Sequence, residues 1–339
     1  MKITQKLLSY QHQVSDANYT SGKINGARDI SALNRKGVTM TDKKGVPYLY
    51  RYAITCYPAI VRANPDEAGD SGTGILYGNH DASSQDDQII QLSFLGAPNT
   101  WVTRNAGVKI HNARESFLKE RGIKKKERGA YDHTIRYKLE SSDNYLDPVH
   151  GAPTLGSVDG SIADRDTITG GTWDETTLIF PDDSDGATLH LCGGHATEET
   201  TSTFTSLCAP QLYLASRGTI DSDSNEEFDS TPQLDSVLHR MMSPVASGLQ
   251  DEIRAEVRDQ ADNPPYDLAV LNNDQYEMVE LGRLQFVSGQ ASSATCVIDA
   301  PYGLFEILGI ASTTRSFTNV GVHNLEINVE LVGMLPMEA

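Results

Sequence analysis

Three clusters of side chains in this 339-residue chain carry reactive chemistry. His190-Leu191-Cys192-Gly193-Gly194-His195 holds soft and borderline metal ligands, with Glu198 and Glu199 just beyond. With His190 and Cys192 on one strand face a zinc ion would have two ligands, and with His195 and Glu198 such a site would hydrolyse through bound water. Zinc sites ordinarily show a clearer second ligand pair, so a strand end followed by a Gly-Gly turn is the plainer reading. Asp221-Ser222-Asp223-Ser224-Asn225-Glu226 opens like a calcium loop. Glu226 stands where the turn needs glycine and Pro232 where the bidentate carboxylate belongs, which excludes an EF-hand. A looser calcium site stays open from Asp182, Asp183 and Asp185, or from Asp221, Asp223, Glu226 and Glu227, against solvated acidic loops. Gly69-Asp70-Ser71-Gly72 matches the string around a serine nucleophile, but only His12 precedes it as a base and Thr73 replaces the second glycine. Gly72-Thr73-Gly74-Ile75-Leu76-Tyr77-Gly78 has the wrong spacing for a dinucleotide loop and reads as a hairpin turn. There is no Walker loop, nucleophile elbow, HExxH or paired-carboxylate arrangement, so an enzyme is not the expectation.

The charge is divided along the chain. The net charge of −18 splits into +8 over residues 1–138 and −26 over residues 139–339, and no lysine follows Lys138. The basic residues concentrate between Trp101 and Lys138, as Arg104, Lys109, Arg114, Lys119, Arg121, Lys124, Lys125, Lys126, Arg128, Arg136 and Lys138, against four acids. Such a patch suits a polyanion, most simply a nucleic-acid backbone, or else serves solubility. The acidic total repels nucleic acid at long range, so any such contact needs a local surface shielded from the acidic part.

Composition narrows the class. Apolar residues at 38%, charged residues at 22%, 28 Gly and 14 Pro describe an ordered, loop-rich globular chain. No run approaches the roughly 20 apolar residues that cross a bilayer, and Met1 to Gln11 reads as no signal peptide. Four scattered cysteines, Cys56, Cys192, Cys208 and Cys296, are expected as free thiols made in a reducing compartment.

The elements that must position these groups are mainly strands. Tyr48–Tyr57, Gln88–Leu95 and Thr134–Leu139 read as strands, with Ile135, Tyr137 and Leu139 on one face of the last. Shorter runs follow at 187–192, 211–216, 284–288, 294–298 and 304–310. Leu325, Ile327, Val329 and Leu331 alternate with Glu326, Asn328 and Glu330, the pattern of a half-buried strand. A helix is expected over Thr103–Arg121, with Val102, Ala106, Ile110, Ala113 and Phe117 as its stripe and Gly122 as its stop. Others open at Thr231-Pro232 and run over Leu249–Arg258. The stretch 140–186 reads as loop. Strands and helices do not alternate regularly, so the expected fold class is all-β: a jelly-roll β-sandwich with long loops and two or three inserted short helices. One domain over 1–339, with helical insertions about 101–122 and 231–259, is preferred to two tandem jelly rolls split near 160–185.

Trp101-Val102-Thr103-Arg104-Asn105-Ala106 through Arg128-Gly129-Ala130-Tyr131-Asp132-His133-Thr134-Ile135-Arg136-Tyr137 resembles the capsid proteins of small, environmental-type single-stranded DNA viruses. Gly170-Gly171-Thr172-Trp173-Asp174, Asp262-Asn263-Pro264-Pro265-Tyr266-Asp267 and Ala300-Pro301-Tyr302-Gly303-Leu304 continue it, over about a fifth of the chain. The resemblance implies a jelly-roll subunit, icosahedral self-assembly and genome encapsidation. Its partners would be copies of itself, genome DNA or RNA on the inner face, and minor capsid or spike proteins. It places the protein in the virion after synthesis in the host cytoplasm. No cofactor is expected, apart from calcium bridging acidic loops at subunit contacts. Residues 1–51 depart from the dense basic arm common in such proteins, with 9 basic and 3 acidic residues. That leaves room for loosely held DNA or an internal lipid layer. The basic segment 104–138 is expected on the genome-facing or subunit-facing side. The competing expectations are a carbohydrate or adhesin module stacking sugars on Trp101 and Trp173, and a metal-dependent hydrolase built on His190, His195 and Glu198.

Overall fold

A computed structural model describes residues 3–14, 20–58, 60–62, 75–77, 88–129, 134–142, 145–148, 173–178, 186–197, 204–216, 271–272, 275–288, 293–313 and 323–338. The chain begins with β1 (Leu7–Val14), β2 (Thr20–Asn25), α1 (Gly26–Asn34), β3 (Tyr48–Pro58), β4 (Ile60–Arg62), β5 (Ile75–Tyr77) and β6 (Gln88–Gly96). Then come α2 (Trp101–Glu120), a 3-10 turn at Lys125–Glu127, β7 (Thr177–Leu178), β8 (Ala187–His190), β9 (Ala196–Thr197), β10 (Phe204–Cys208) and α3 (Ala209–Ala215). It closes with β11 (Leu271–Asn272), β12 (Gln275–Tyr276), β13 (Val279–Ser288), β14 (Ala294–Pro301), β15 (Leu304–Thr313) and β16 (His323–Pro336).

Eight long strands form two four-stranded antiparallel sheets, ordered β1-β16-β3-β14 and β13-β6-β15-β2. Numbered one to eight along the chain, the sheets run 1-8-3-6 and 5-4-7-2, and the first strand pairs with the eighth, the second with the seventh, the third with the sixth and the fourth with the fifth. A long antiparallel ribbon rolled on itself has this order, and it is the order a jelly roll requires. Alternation makes the sandwich possible. Tyr10, Tyr52, Ile54, Ile327 and Val329 point inward from one sheet, and Ile24, Leu92, Phe94, Phe305 and Ile307 from the other, all fully buried. Tyr52 meets Phe305 across the core at 5.4 Å between ring centroids, and Phe305 meets Phe94 at 6.2 Å. Each such side chain contributes about 1.5–3 kcal/mol through burial.

The sheets join at a two-residue corner between β14 and β15. Tyr302 and Gly303 both have positive φ, 60° and 77°, and Gly303 N–H closes the turn by donating to Ala300 O (3.2 Å). The left-handed Tyr302 is held by everything around it. Its N–H donates to Tyr48 O (2.8 Å), its hydroxyl to Thr103 O in α2 (3.1 Å), and its ring packs edge-on against Tyr137 at 4.7 Å.

The connection from β6 to β13 carries a third sheet, β7-β8-β10-β9, in which β8 and β10 are parallel. Residues 134–142 and 145–146 strap it to the roll. Lys138 N–H donates to Leu189 O (2.8 Å), Cys192 N–H to Leu139 O (2.8 Å) and Leu146 N–H to Lys23 O (2.7 Å). The strap's alternation is as expected, with Ile135, Tyr137 and Leu139 buried. It makes an isolated bridge to His190 rather than a strand ladder, because both neighbouring sheets draw on its backbone.

The expected strands 48–57, 88–95, 187–192, 284–288, 294–298, 304–310 and 325–331 fall on observed ones. The run 211–216 does not. It lies in and just after α3, where Pro210 starts a helix after β10, and Gln-Leu-Tyr-Leu serves either structure. α1, β1 and β2 were not anticipated. α2 starts at Trp101, where the Thr100 hydroxyl accepts from Thr103 N–H (3.4 Å), and stops as expected at Gly122 (φ 73°). There Gly122 N–H donates to Lys119 O and Ile123 N–H to Leu118 O, a Schellman pair. Part of the expected loop 140–186 is β7. The helices expected at 231–259, the turn at Gly72–Gly74 and most of the proposed split at 160–185 lie outside the described residues. Among the described residues no helix is long and apolar enough to cross a membrane.

Replacing Gly303 with Ala puts a Cβ on a left-handed residue and 3.1 Å from the Tyr50 ring. The variant is expected to lose about 1–2 kcal/mol of unfolding free energy, measured as a lower denaturant midpoint at unchanged slope.

Candidate functional site

The basic residues between Arg104 and Lys138 have two fates. Arg104 donates to Met337 O (3.1 Å) and Asn105 Oδ1 (3.0 Å). Lys109 reaches the Ser216 hydroxyl (2.5 Å) across the Tyr213 ring. Arg136 lies over Trp173 at 4.6 Å and donates to Asp174 O (3.0 Å). Arg114 is half-buried, and Lys138 lies in the strap. These side chains hold α2, α3 and the strap in place.

The remainder share the free end of α2. Val102, Ala106 and Ile110 are buried, but Ala113 is exposed and Phe117 only half-buried, so the apolar stripe leaves the core after its third contact. Lys119, Arg121, Lys124 and Lys126 are exposed there, with Arg121 stacked on Phe117 at 4.2 Å. Lys125 lies in the same turn, its side chain outside the described residues. Arg128 folds the chain back onto α2 through Glu115 (2.5 Å and 3.3 Å), and Glu127 caps the turn by accepting from Lys124 N–H (2.8 Å). The end of α2 is therefore a fixed basic knob rather than one face of a continuous basic stripe.

The histidine-cysteine cluster is built as a strand end. His190 is fully buried, and its Nε2 lies 3.0 Å from Gly194 O. A carbonyl only accepts, so Nε2 carries the proton and Nδ1 accepts from the Ser206 hydroxyl at 2.6 Å. Burial lowers the His190 pKa to about 4, which keeps the ring neutral near pH 7. His195 Nδ1 accepts from Cys208 N–H (3.0 Å), and burial pushes the Cys192 thiol well up. Both His190 nitrogens are therefore engaged within the strand end. Among the described residues no group of three His, Cys, Asp or Glu is arranged to hold a metal ion. Glu198, Asp182, Asp183, Asp185, Asp221, Asp223, Glu226 and Glu227 lie outside the described residues. All four cysteines are free thiols. Both tryptophans are engaged, Trp101 edge-on to Tyr213 and Trp173 beneath Arg136, so neither presents a bare stacking platform.

Two buried ionic clamps escaped sequence reasoning. Asp29, fully buried in α1, accepts from Arg28 Nε (2.7 Å) and from the Tyr10 hydroxyl (2.7 Å). Arg28 also donates to Leu146 O (2.9 Å) and Asp147 Oδ1 (3.1 Å), with its guanidinium over Tyr145 at 5.5 Å. On the next edge Lys23 pairs with Glu140 and donates to the Ser142 hydroxyl (3.1 Å), beside the buried Glu306. Burial, then Glu140, raises the Glu306 pKa. The clamps pin Glu140, Ser142 and residues 145–147 to β2 and α1. An Arg-Asp dipeptide gives no sign of this in sequence, because the partners lie more than a hundred residues away.

Burial raises the Asp29 pKa from 3.8 to about 6, against the opposing pull of Arg28 and Tyr10. A carboxyl raised by folding contributes stability that is complete below its unfolded pKa and is lost as pH rises through its folded pKa. Asp29→Asn is expected to remove that loss between pH 4 and 6. It should also lower stability throughout by about 1–3 kcal/mol, because its amide must face a donor from Tyr10 or Arg28. Urea midpoints at pH 4, 5, 6 and 7 check both effects. No family model, curated protein or solved structure matches the chain.

Proposed function

We propose that this chain is a structural coat subunit that assembles with copies of itself into the icosahedral shell of a small virus. The observation that carries the reading is the strand order 1-8-3-6 against 5-4-7-2. A closed roll gives a shell a stiff block whose shape does not depend on a ligand. The long connections from β2 to β3 and from β6 to β13 leave it at the end that holds the Tyr302–Gly303 corner, where they can reach neighbours. Further support comes from coverage. The outer side of the β13-β6-β15-β2 sheet carries Lys23 and Glu306 beside the strap, whereas no described element covers the outer side of β1-β16-β3-β14. The motif Ala300-Pro301-Tyr302-Gly303-Leu304, part of the resemblance to single-stranded DNA virus coat proteins, forms the corner that joins the sheets.

On this reading the genome lies inside the shell, the mature protein is found in the virion, and calcium or minor shell proteins join at subunit contacts. A shell contact buries on the order of 1,200–2,000 Å², and head-to-tail contacts of that size must close.

Purified protein is expected to form pentamers, hexamers or closed particles, visible by light scattering and negative-stain micrographs. A stable monomer at every salt and calcium concentration would overturn the reading.

A further inference from the structure

We propose that the free end of α2 docks on the outer face of the β1-β16-β3-β14 sheet of a second copy. The proposal rests on the coat-subunit reading and names one of its contacts. Among the described residues the large exposed hydrophobics are Leu7, Ile123, Phe204, Val297, Val332 and Leu335. Four of them belong to this one sheet, and Ile123 belongs to the end of α2.

The strand register arranges the sheet's outer face in rows. Leu7, Glu330, Ala53 and Val297 stand abreast across all four strands, with Leu7 55% and Val297 58% exposed. On one side the row Ser9, Asn328, Thr55 and Thr295 is uncharged. On the other side Arg51 and Asp299 neutralise each other through two 2.8 Å contacts. Glu330 therefore supplies the charge of the apolar row. Four of the six exposed large hydrophobics among the described residues on one sheet mark it as an interaction surface.

The end of α2 is its complement. Ile123, 38% exposed, sits among Lys119, Arg121, Lys124 and Lys126. The Schellman turn and the Arg128–Glu115 pair fix its position, so docking orders little new structure. An apolar residue flanked along the chain by cations meets a row with apolar ends and an acid between them, a head-to-tail pairing that propagates from copy to copy. A phosphate backbone fits this knob less well. It has nothing to set against Ile123, and Glu120 and Glu127 interrupt the cations.

The test is a charge exchange in the full chain. The variants are Lys124→Glu, Lys126→Glu, Glu330→Lys, and each lysine variant combined with Glu330→Lys. Circular dichroism establishes that all share the parent fold. Assembled fraction is read by light scattering at about 0.15 M salt, and bound nucleic acid by the ratio of absorbance at 260 and 280 nm. Each reversal is expected to lower the assembled fraction about tenfold, and at least one combination to restore it to within about twofold. The contact is overturned if the reversals leave assembly unchanged or if neither combination recovers. Loss of bound nucleic acid in the lysine variants alone, with Glu330→Lys behaving as the parent, overturns it in favour of a polyanion. A parent chain that never assembles overturns the coat-subunit reading and this contact with it.

Discussion

The structure depends on the pairing of its first strand with its last. Leu7 to Val14 lies against Glu330 to His323, and the other three pairs nest inside that one. The inward faces of the eight strands are covered only once the ribbon is rolled, so the core forms as a unit. Loop-closure entropy rises by only about 0.6 kcal/mol for each doubling of length. The roll therefore tolerates the connection spanning residues 97–278, provided that its two flanking strands, β6 and β13, find each other. The same nesting makes most tertiary contacts long-range, which slows folding relative to a helical chain of this size.

That connection is held by directed polar contacts as well as apolar packing. Tyr302 reaches Thr103 in α2, the Tyr276 hydroxyl meets Thr100 and Thr103 at 3.2 Å and 3.1 Å, and the clamps at Lys23 and Arg28 fix the strap. Buried ion pairs add little net stability, because desolvation offsets most of the attraction. Their effect here is on register. Arg28 is satisfied only when the strap brings the Leu146 carbonyl and Asp147 to one place beside α1. The left-handed Tyr302 is a similar case, since its cost of about 1–2 kcal/mol is offset by a ring buried against Tyr137 of the strap and by hydrogen bonds to Tyr48 in β3 and Thr103 in α2.

The charge asymmetry of the sequence takes on a different meaning in three dimensions. The basic stretch from Arg104 to Lys138 looks like one patch on paper. Folding spends Arg104, Arg128 and Arg136 on internal contacts and leaves a compact knob where α2 runs out of core to cover. The outer face of β1-β16-β3-β14 was equally hidden, since its rows combine residues from positions 7 to 330.

Much of the fold was legible because alternation is a local property. Tyr50, Tyr52 and Ile54, or Ile327, Val329 and Leu331, announce a half-buried strand whatever they pair with. β1 carried the same signal in Leu8, Tyr10 and Val14, muted by His12 in an inward position, and β2 was masked by Gly22 and the buried Lys23. Helix α3 was misread because a short apolar run has no period of its own. Local spacing specifies most of the long strands, the stop of α2 and the preference for a sandwich, but not β1, β2 or α3. Tertiary structure alone decided the nesting of the pairs, the capture of His190 by Ser206 and Gly194, and the split of the basic residues into anchors and knob. Those outcomes rest on which distant groups meet, and local spacing carries no information about residues a hundred positions apart.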